Sequence, residues 1–159
     1  MKLKCVDIGL EIQIEKSLLD RMYSIGMDYY PAEFGGLLIG KYASDLKTCI
    51  ISDILLPIKY VSSKYYFERG IEGLTEKLEE LYNKEEKLIY VGEWHTHPDM
   101  PAEPSGTDRK AMKELAEHND VNISNPILLI ISNSKNKYDF NFYLQYKGSI
   151  HKYITLQTK

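Results

Sequence analysis

The stretch KLIYVGEWHTHPDMPAEPSGTDRK, Lys87 to Lys110, constrains this chain most, because it switches conformational habit twice in a few residues. Lys87 to Trp94 reads as a buried strand, apolar and β-prone, ending where the histidines begin. On extended chain, side chains two apart share a side, so His95 and His97 can present both imidazoles to one point. Pro98, Pro101 and Pro104 then hold the connection stiff and non-helical. Ser105 has the character of a helix N-cap, and Asp108 falls in the first turn. The free N–H groups and the helix dipole favour a carboxylate there.

Two imidazoles and one carboxylate form a metal-binding set. Three such ligands suit zinc and leave a fourth position for water, whereas structural zinc sites usually close the shell with four protein ligands. The chain's two cysteines, Cys5 and Cys49, lie far from this stretch and lack ligand spacing. An open position argues for catalysis, and a zinc-bound water, once acidified, still needs a base to take its proton. The candidate is Glu33 in YYPAEFGGLLIGKY, just ahead of a glycine pair and an apolar strand. Glu93 is placed to reach the histidine face in a supporting or surface role, Asp99 and Glu103 face solvent, and Trp94 packs in the core. His118 and His151 read as ordinary hydrogen-bonded histidines.

Around this centre the periodicity alternates between strand and helix. Ile8 to Ile14 has strand period, and Glu15 to Asp28 carries Leu18, Leu19, Met22, Tyr23 and Ile25 on one helical face, weakened at Gly26 and stopped by Pro31. GGLLIGKY and TCIISDILLP form a hairpin turning at Ala43 to Lys47. The pair Gly35–Gly36 reads first as a strand start; close approach to a metal or substrate is the alternative. Tyr60 to Arg69 is loop or short strand. Gly70 to Lys87 is an amphipathic helix burying Ile71, Leu74, Leu78 and Leu81. A helix over Gly106 to His118 turns Met112, Leu115 and Ala116 inward. Asn125 to Asn133 is an apolar strand, and an alternating strand from Tyr138 to Tyr146 turns at Lys147-Gly148 into a last one. The order predicts a mixed α/β or α+β class.

The composition, 43% hydrophobic and 27% charged over 159 residues, fits one globular domain spanning 1–159. A net charge of -3 with no basic block argues against a nucleic-acid partner. No apolar run has membrane-spanning length, and MKLKCVDIGLEI, broken by Asp7 and Glu11, is no secretory signal, so a cytoplasmic location is expected.

Glu33, then His95-x-His97, seven intervening residues, Ser105, two more and Asp108, resembles the JAMM or MPN-domain metalloproteases, zinc isopeptidases that release ubiquitin and ubiquitin-like proteins. The likeness runs from PAEFGGLLIG to the last strands. It implies the MPN fold, a curved mixed β-sheet flanked by helices in a deaminase-like architecture. It also implies one Zn2+ per chain held by His95, His97 and Asp108 with water as fourth ligand. Glu33 would be general base and acid, and Ser105 would donate to the oxyanion. FERGIEGL and VGEWHTHPDMPAEPSGTD look more like the small bacterial members of antiphage CBASS operons, which remove a cyclic-nucleotide synthase (CD-NTase) from targets joined to its C-terminus. The expected partner is therefore the C-terminal tail of a conjugated protein, and the aromatic segment Tyr60 to Phe67 is placed to line its groove. Alternatives are processing of a ubiquitin-like or sulfur-carrier protein, and a non-catalytic MPN scaffold.

Overall fold

The computed structural model describes residues 1–119, 121–134 and 138–156. The elements are β1 (Lys2–Cys5), β2 (Leu10–Ile14), α1 (Lys16–Tyr29), β3 (Gly35–Tyr42), β4 (Thr48–Leu55), β5 (Tyr60–Ser63), β6 (Tyr66–Arg69) and α2 (Leu74–Tyr82). They continue as β7 (Ile89–Pro98), α3 (Gly106–Glu117), β8 (Ile127–Asn133), β9 (Tyr138–Tyr146), β10 (Ser149–Lys152) and β11 (Ile154–Thr155). Nine strands form one mixed sheet in the order β10-β9-β8-β7-β3-β4-β2-β1-β11, and β5 and β6 form a separate hairpin.

The sheet curls back on itself, and the chain shows why. Strands β10 and β11 sit at opposite ends of the nine-strand order, yet only Tyr153 separates them. The two edges must therefore approach each other. Tyr153 is buried there and its N–H donates to the carbonyl of Phe142 at 2.9 Å.

Alternation along the central strands divides the interior. Trp94, Leu129, Ile131, Phe142 and Leu144 join Leu18, Leu19 and Met22 of α1 in the largest core. The opposite faces of β8 and β9 offer Leu128, Ile130 and Tyr143 to Ala102 and to Met112 of α3. Leu74 and Leu81 of α2 pack with Leu37, Ile39 and Leu88. The central strands are thus covered on both sides, which is why β8 is apolar from Ile127 to Ile131 and why β9 buries Tyr143 and Gln145 as well as Phe142 and Leu144. The glycine near the end of α1 has a packing role: a Cβ on Gly26 would stand 2.4 Å from Cγ2 of Thr96, so its absence lets the helix lie close behind β7.

Several boundaries differ from the sequence reading. Strand β7 does not stop before the histidines; it runs through both to Pro98, because His95, His97 and Pro98 each pair with β8, at Ile130, Ser132 and Asn133. The second helix is shorter than Gly70 to Lys87. Gly73, with φ +68°, caps it in the left-handed region, and Ile71 falls in the preceding turn, 76% exposed rather than buried. Tyr60 to Arg69 forms a defined hairpin, the N-terminal strand begins at Leu10 rather than Ile8, and β1 adds a strand whose four residues gave too little periodicity to read.

Candidate metal centre

Three pieces of backbone bring the site together. The first is the pairing of β3 with β7, where Gly35 lies opposite His95. A Cβ on Gly35 would sit 2.0 Å from the carbonyl oxygen of Trp94 and 2.8 Å from Cα of His95, so only glycine permits this approach. The glycine pair thus serves contact between strands: on the other side, a Cβ on Gly36 would stand 2.3 Å from the Leu55 carbonyl oxygen.

The second is the residue between the histidines. Thr96 is fully buried on the face opposite the imidazoles. Its N–H donates to the carbonyl of Phe34 at 2.8 Å, and its Oγ1 accepts the N–H of Phe34 at 3.0 Å. These bonds extend the β3–β7 pairing beyond Gly35. Alternation then turns Phe34 into the core, edge-to-face with Trp94, and Glu33 toward the histidines.

The third is the start of α3. Ser105 and Asp108 form a complete capping box: Asp108 N–H donates to Ser105 Oγ at 3.1 Å, and Ser105 N–H donates to Asp108 Oδ2 at 2.6 Å. The box fixes the carboxylate in front of the imidazoles, with Oδ1 at 3.2 Å from His95 Nε2 and Oδ2 at 3.5 Å from His97 Nε2. The two Nε2 atoms are 3.1 Å apart.

These separations decide whether a metal would fit. A tetrahedral ion with ligands at about 2.0–2.1 Å has neighbouring donors about 3.3 Å apart. The 3.1 Å between the two Nε2 atoms and the 3.2 Å from His95 Nε2 to Asp108 Oδ1 lie close to that value, and one donor atom from each of the three residues lies within 4.8 Å of the others. The nitrogen chemistry agrees, since Nδ1 of His97 lies 3.2 Å from the carbonyl of Pro101, which can only accept. Nδ1 must carry the hydrogen, leaving Nε2 as the donor atom toward the cluster. His95, His97 and Asp108 therefore have the composition and spacing to hold a metal ion.

Electrostatics point the same way. Burial opposes ionisation of Asp108, but the facing imidazoles of His95 and His97, which donate to it when protonated, outweigh it and hold the carboxyl far below its ordinary range. Burial also disfavours a charged His97, yet Asp108 and the Pro101 carbonyl more than compensate and push its pKa up. The centre of the cluster thus favours positive charge. Glu33, 8% exposed, shows the converse: burial raises its pKa, with the neighbouring imidazoles acting against the rise.

All five residues singled out in the sequence, Glu33, His95, His97, Ser105 and Asp108, line one cleft of about 510 Å³. The β5–β6 hairpin supplies one wall with Tyr65, Tyr66 and Phe67, and α3 supplies the other with Thr107, Ala111 and Met112. His118 lies outside at the exposed end of α3, and His151 lies beside Asp7. Glu93 reaches the cleft but is engaged by Arg69 and Tyr90. Asp99 accepts from the Tyr30 hydroxyl at 2.8 Å on the exposed surface. The sequence reading missed Thr96, Arg69, Ser62 and Ser63, whose hydrogen bonds hold the backbone and walls around the site. Strand alternation carried a signal for Thr96, while the others act across chain separations with no local signature.

Comparison with known proteins places this geometry in a family. Residues 15–145 match the family described as prokaryotic homologs of the JAB domain. A curated relative from Enterobacter hormaechei subsp. hoffmannii, named CD-NTase/cGAS isopeptidase, is 34% identical over 121 residues, spanning 76% of this chain. The match covers 66% of that relative's own length, just under two thirds. Among solved structures, a Desulfitobacterium hafniense protein superposes with a TM-score of 0.67 at 19% identity, covering 89% of this chain and 88% of its own. A Salinibacter ruber protein does so with a TM-score of 0.58 at 19% identity, covering 88% and 87%. At that identity the two structures speak to the fold alone. No helix among the described residues is long and apolar enough to cross a membrane.

Proposed function

Because this chain belongs to the family of prokaryotic JAB-domain proteins, we propose that it is a zinc-dependent isopeptidase hydrolysing the amide bond that follows a protein's C-terminal tail. The observation that carries the reading is the convergence of His95, His97 and Asp108, with one donor atom from each within 4.8 Å of the others, in a cleft that also holds the buried carboxyl of Glu33.

In this reading the three clustered residues are the ligands and Glu33 and Ser105 are the catalytic residues. When bound, Zn2+ supplies a Lewis acid that polarises the scissile carbonyl and acidifies water. Glu33 accepts the proton of the water as its oxygen adds to the carbonyl carbon. As the C–N bond breaks, Glu33 returns that proton to the departing amine nitrogen. Ser105 donates its hydroxyl hydrogen to the carbonyl oxygen as negative charge gathers there. The cap uses only a lone pair of Ser105 Oγ, so the hydrogen remains available for this task.

The cleft between hairpin and helix suits an extended peptide held by main-chain hydrogen bonds. The substrate proposed is the tail of a CD-NTase joined to another protein, since a relative covering most of this chain is named CD-NTase/cGAS isopeptidase. Residues 1–159 would then act as one catalytic domain, within a CBASS antiviral operon and in the cytoplasm.

The test is cleavage of a protein fused or conjugated through such a tail, followed by intact mass. A cut immediately after the last tail residue, lost on chelation and regained with zinc, is expected. Cleavage that survives complete metal removal contradicts the reading. Cleavage only of ubiquitin-like or sulfur-carrier tails would keep the chemistry and reassign the substrate.

A further inference from the structure

We propose that Arg69 is a positioning residue: by pairing with Glu93 it fixes the β5–β6 hairpin, and the hairpin in turn seats Glu33 in the cleft. This rests on the reading of Glu33 as the proton carrier.

A two-stranded hairpin is marginal by itself, and β5 and β6 pair with no third strand among the described residues. Something else must hold the hairpin in register with the sheet. On β5, the carbonyl of Ser63 accepts the N–H of Glu33 at 2.8 Å, and the hydroxyl of Ser62 donates to the carbonyl of Glu33. Both main-chain groups of Glu33 are therefore bound to β5. Thr96 holds the neighbouring Phe34, so Glu33 is the residue at which control passes from the sheet to the hairpin.

On β6, Arg69 donates to Oε1 of Glu93 from Nε, at 3.1 Å, and from Nη2. The hydroxyl of Tyr90 donates to the same oxygen at 3.0 Å. Three donors thus converge on one carboxylate oxygen of β7, two residues before His95. The paired side chains are only 20% and 28% exposed, so the contact is shielded and directional, unlike an ion pair in open water. Other contacts also hold the hairpin: Phe67 meets Phe34 at 5.6 Å between ring centroids, and Tyr60 stands edge-on to Phe34 at 5.1 Å and to Tyr29 at 5.8 Å. These ring contacts are less directional than hydrogen bonds to a charged oxygen. Lys59–Glu72 at the hairpin base is largely exposed. The path Glu33–Ser62/Ser63–hairpin–Arg69–Glu93–β7 closes a ring that ties the proton carrier to the strand bearing the histidines.

The experiment compares zinc-loaded wild type with Arg69→Gln, Arg69→Lys and Ser62→Ala, reading amide exchange of residues 60–69 by mass spectrometry and kcat on a tail conjugate. In Arg69→Gln the hairpin amides should exchange roughly tenfold faster. Its kcat should fall roughly ten- to a hundredfold, with zinc content unchanged and Arg69→Lys intermediate in both readouts. Ser62→Ala removes one of the two bonds to Glu33 and leaves the Arg69 anchor, so kcat should fall while hairpin exchange stays closer to wild type than in Arg69→Gln. Unchanged exchange in Arg69→Gln overturns the proposal, and so does faster exchange with wild-type kcat. If melting shows that Arg69→Gln does not fold, Glu93→Gln is read by the same criteria. A wild type that cleaves no tail conjugate would defeat the reading of the cleft, while exchange in the variants would still decide whether Arg69 anchors the hairpin.

Discussion

Ser105 carries two tasks on one oxygen, and substitutions can separate them. Its lone pair accepts Asp108 N–H as a helix cap, and its hydrogen is assigned to the reacting carbonyl. Glycine replaces a serine cap at a cost of only a few tenths of a kcal/mol, whereas alanine costs about 1 kcal/mol. Ser105→Gly should therefore melt close to wild type yet lose roughly 10²–10³ in kcat. If Ser105→Gly turns over at the wild-type rate, the hydroxyl serves only as a cap. Asp108 is similarly double, because one carboxylate closes the capping box and faces both imidazoles. Asp108→Asn keeps an oxygen for the Ser105 N–H but removes the negative charge. It should fold normally and lose its metal, as elemental analysis would show; full zinc occupancy in this variant would remove Asp108 from the ligand set.

At the scale of elements, the site depends on how closely β3 lies against β7. An alanine at Gly35 would press on main-chain atoms of Trp94 and His95, which cannot turn aside as a side chain could. Gly35→Ala should destabilise the fold by roughly 1–3 kcal/mol and weaken metal binding together; an unaltered melting temperature would show that the strands have slack. This approach was only half visible in the sequence. The glycine pair stood out, but its alternative readings could not be separated until the partner strand was known. The histidines, Ser105 and Asp108 were legible because they lie within fourteen residues, His95 to Asp108, where strand alternation and the capping pattern fix geometry locally. The end of β7 was misread because two polar imidazoles look like the end of a buried strand, and only pairing with β8 reveals its continuation. The hairpin at Tyr60 to Arg69 was obscure for a related reason. Its register is set by Glu33 and Glu93, each more than twenty residues from its partner.

For the whole molecule, the main core and the metal centre occupy different sides of β7. Trp94 and Thr96 face α1 while the imidazoles face α3, so stripping the metal leaves the core contacts in place. The metal-free protein should remain folded and melt cooperatively. Zinc at a thousandfold excess over its dissociation constant adds about 4 kcal/mol, equivalent to a rise of roughly 8–16 °C in Tm for a chain of this size. A metal-free protein that unfolds outright would instead make the ion part of the core structure. If His95, His97 and Asp108 hold the metal and Glu33 moves the proton, the two tasks separate in Glu33→Gln, on which zinc content and tail cleavage are measured side by side. The expected result is one zinc per chain, as in wild type, with turnover reduced by roughly 10²–10⁴. Wild-type turnover in that variant would contradict the claim, because the cleft would then be cutting its substrate without the carboxyl proposed to move the proton.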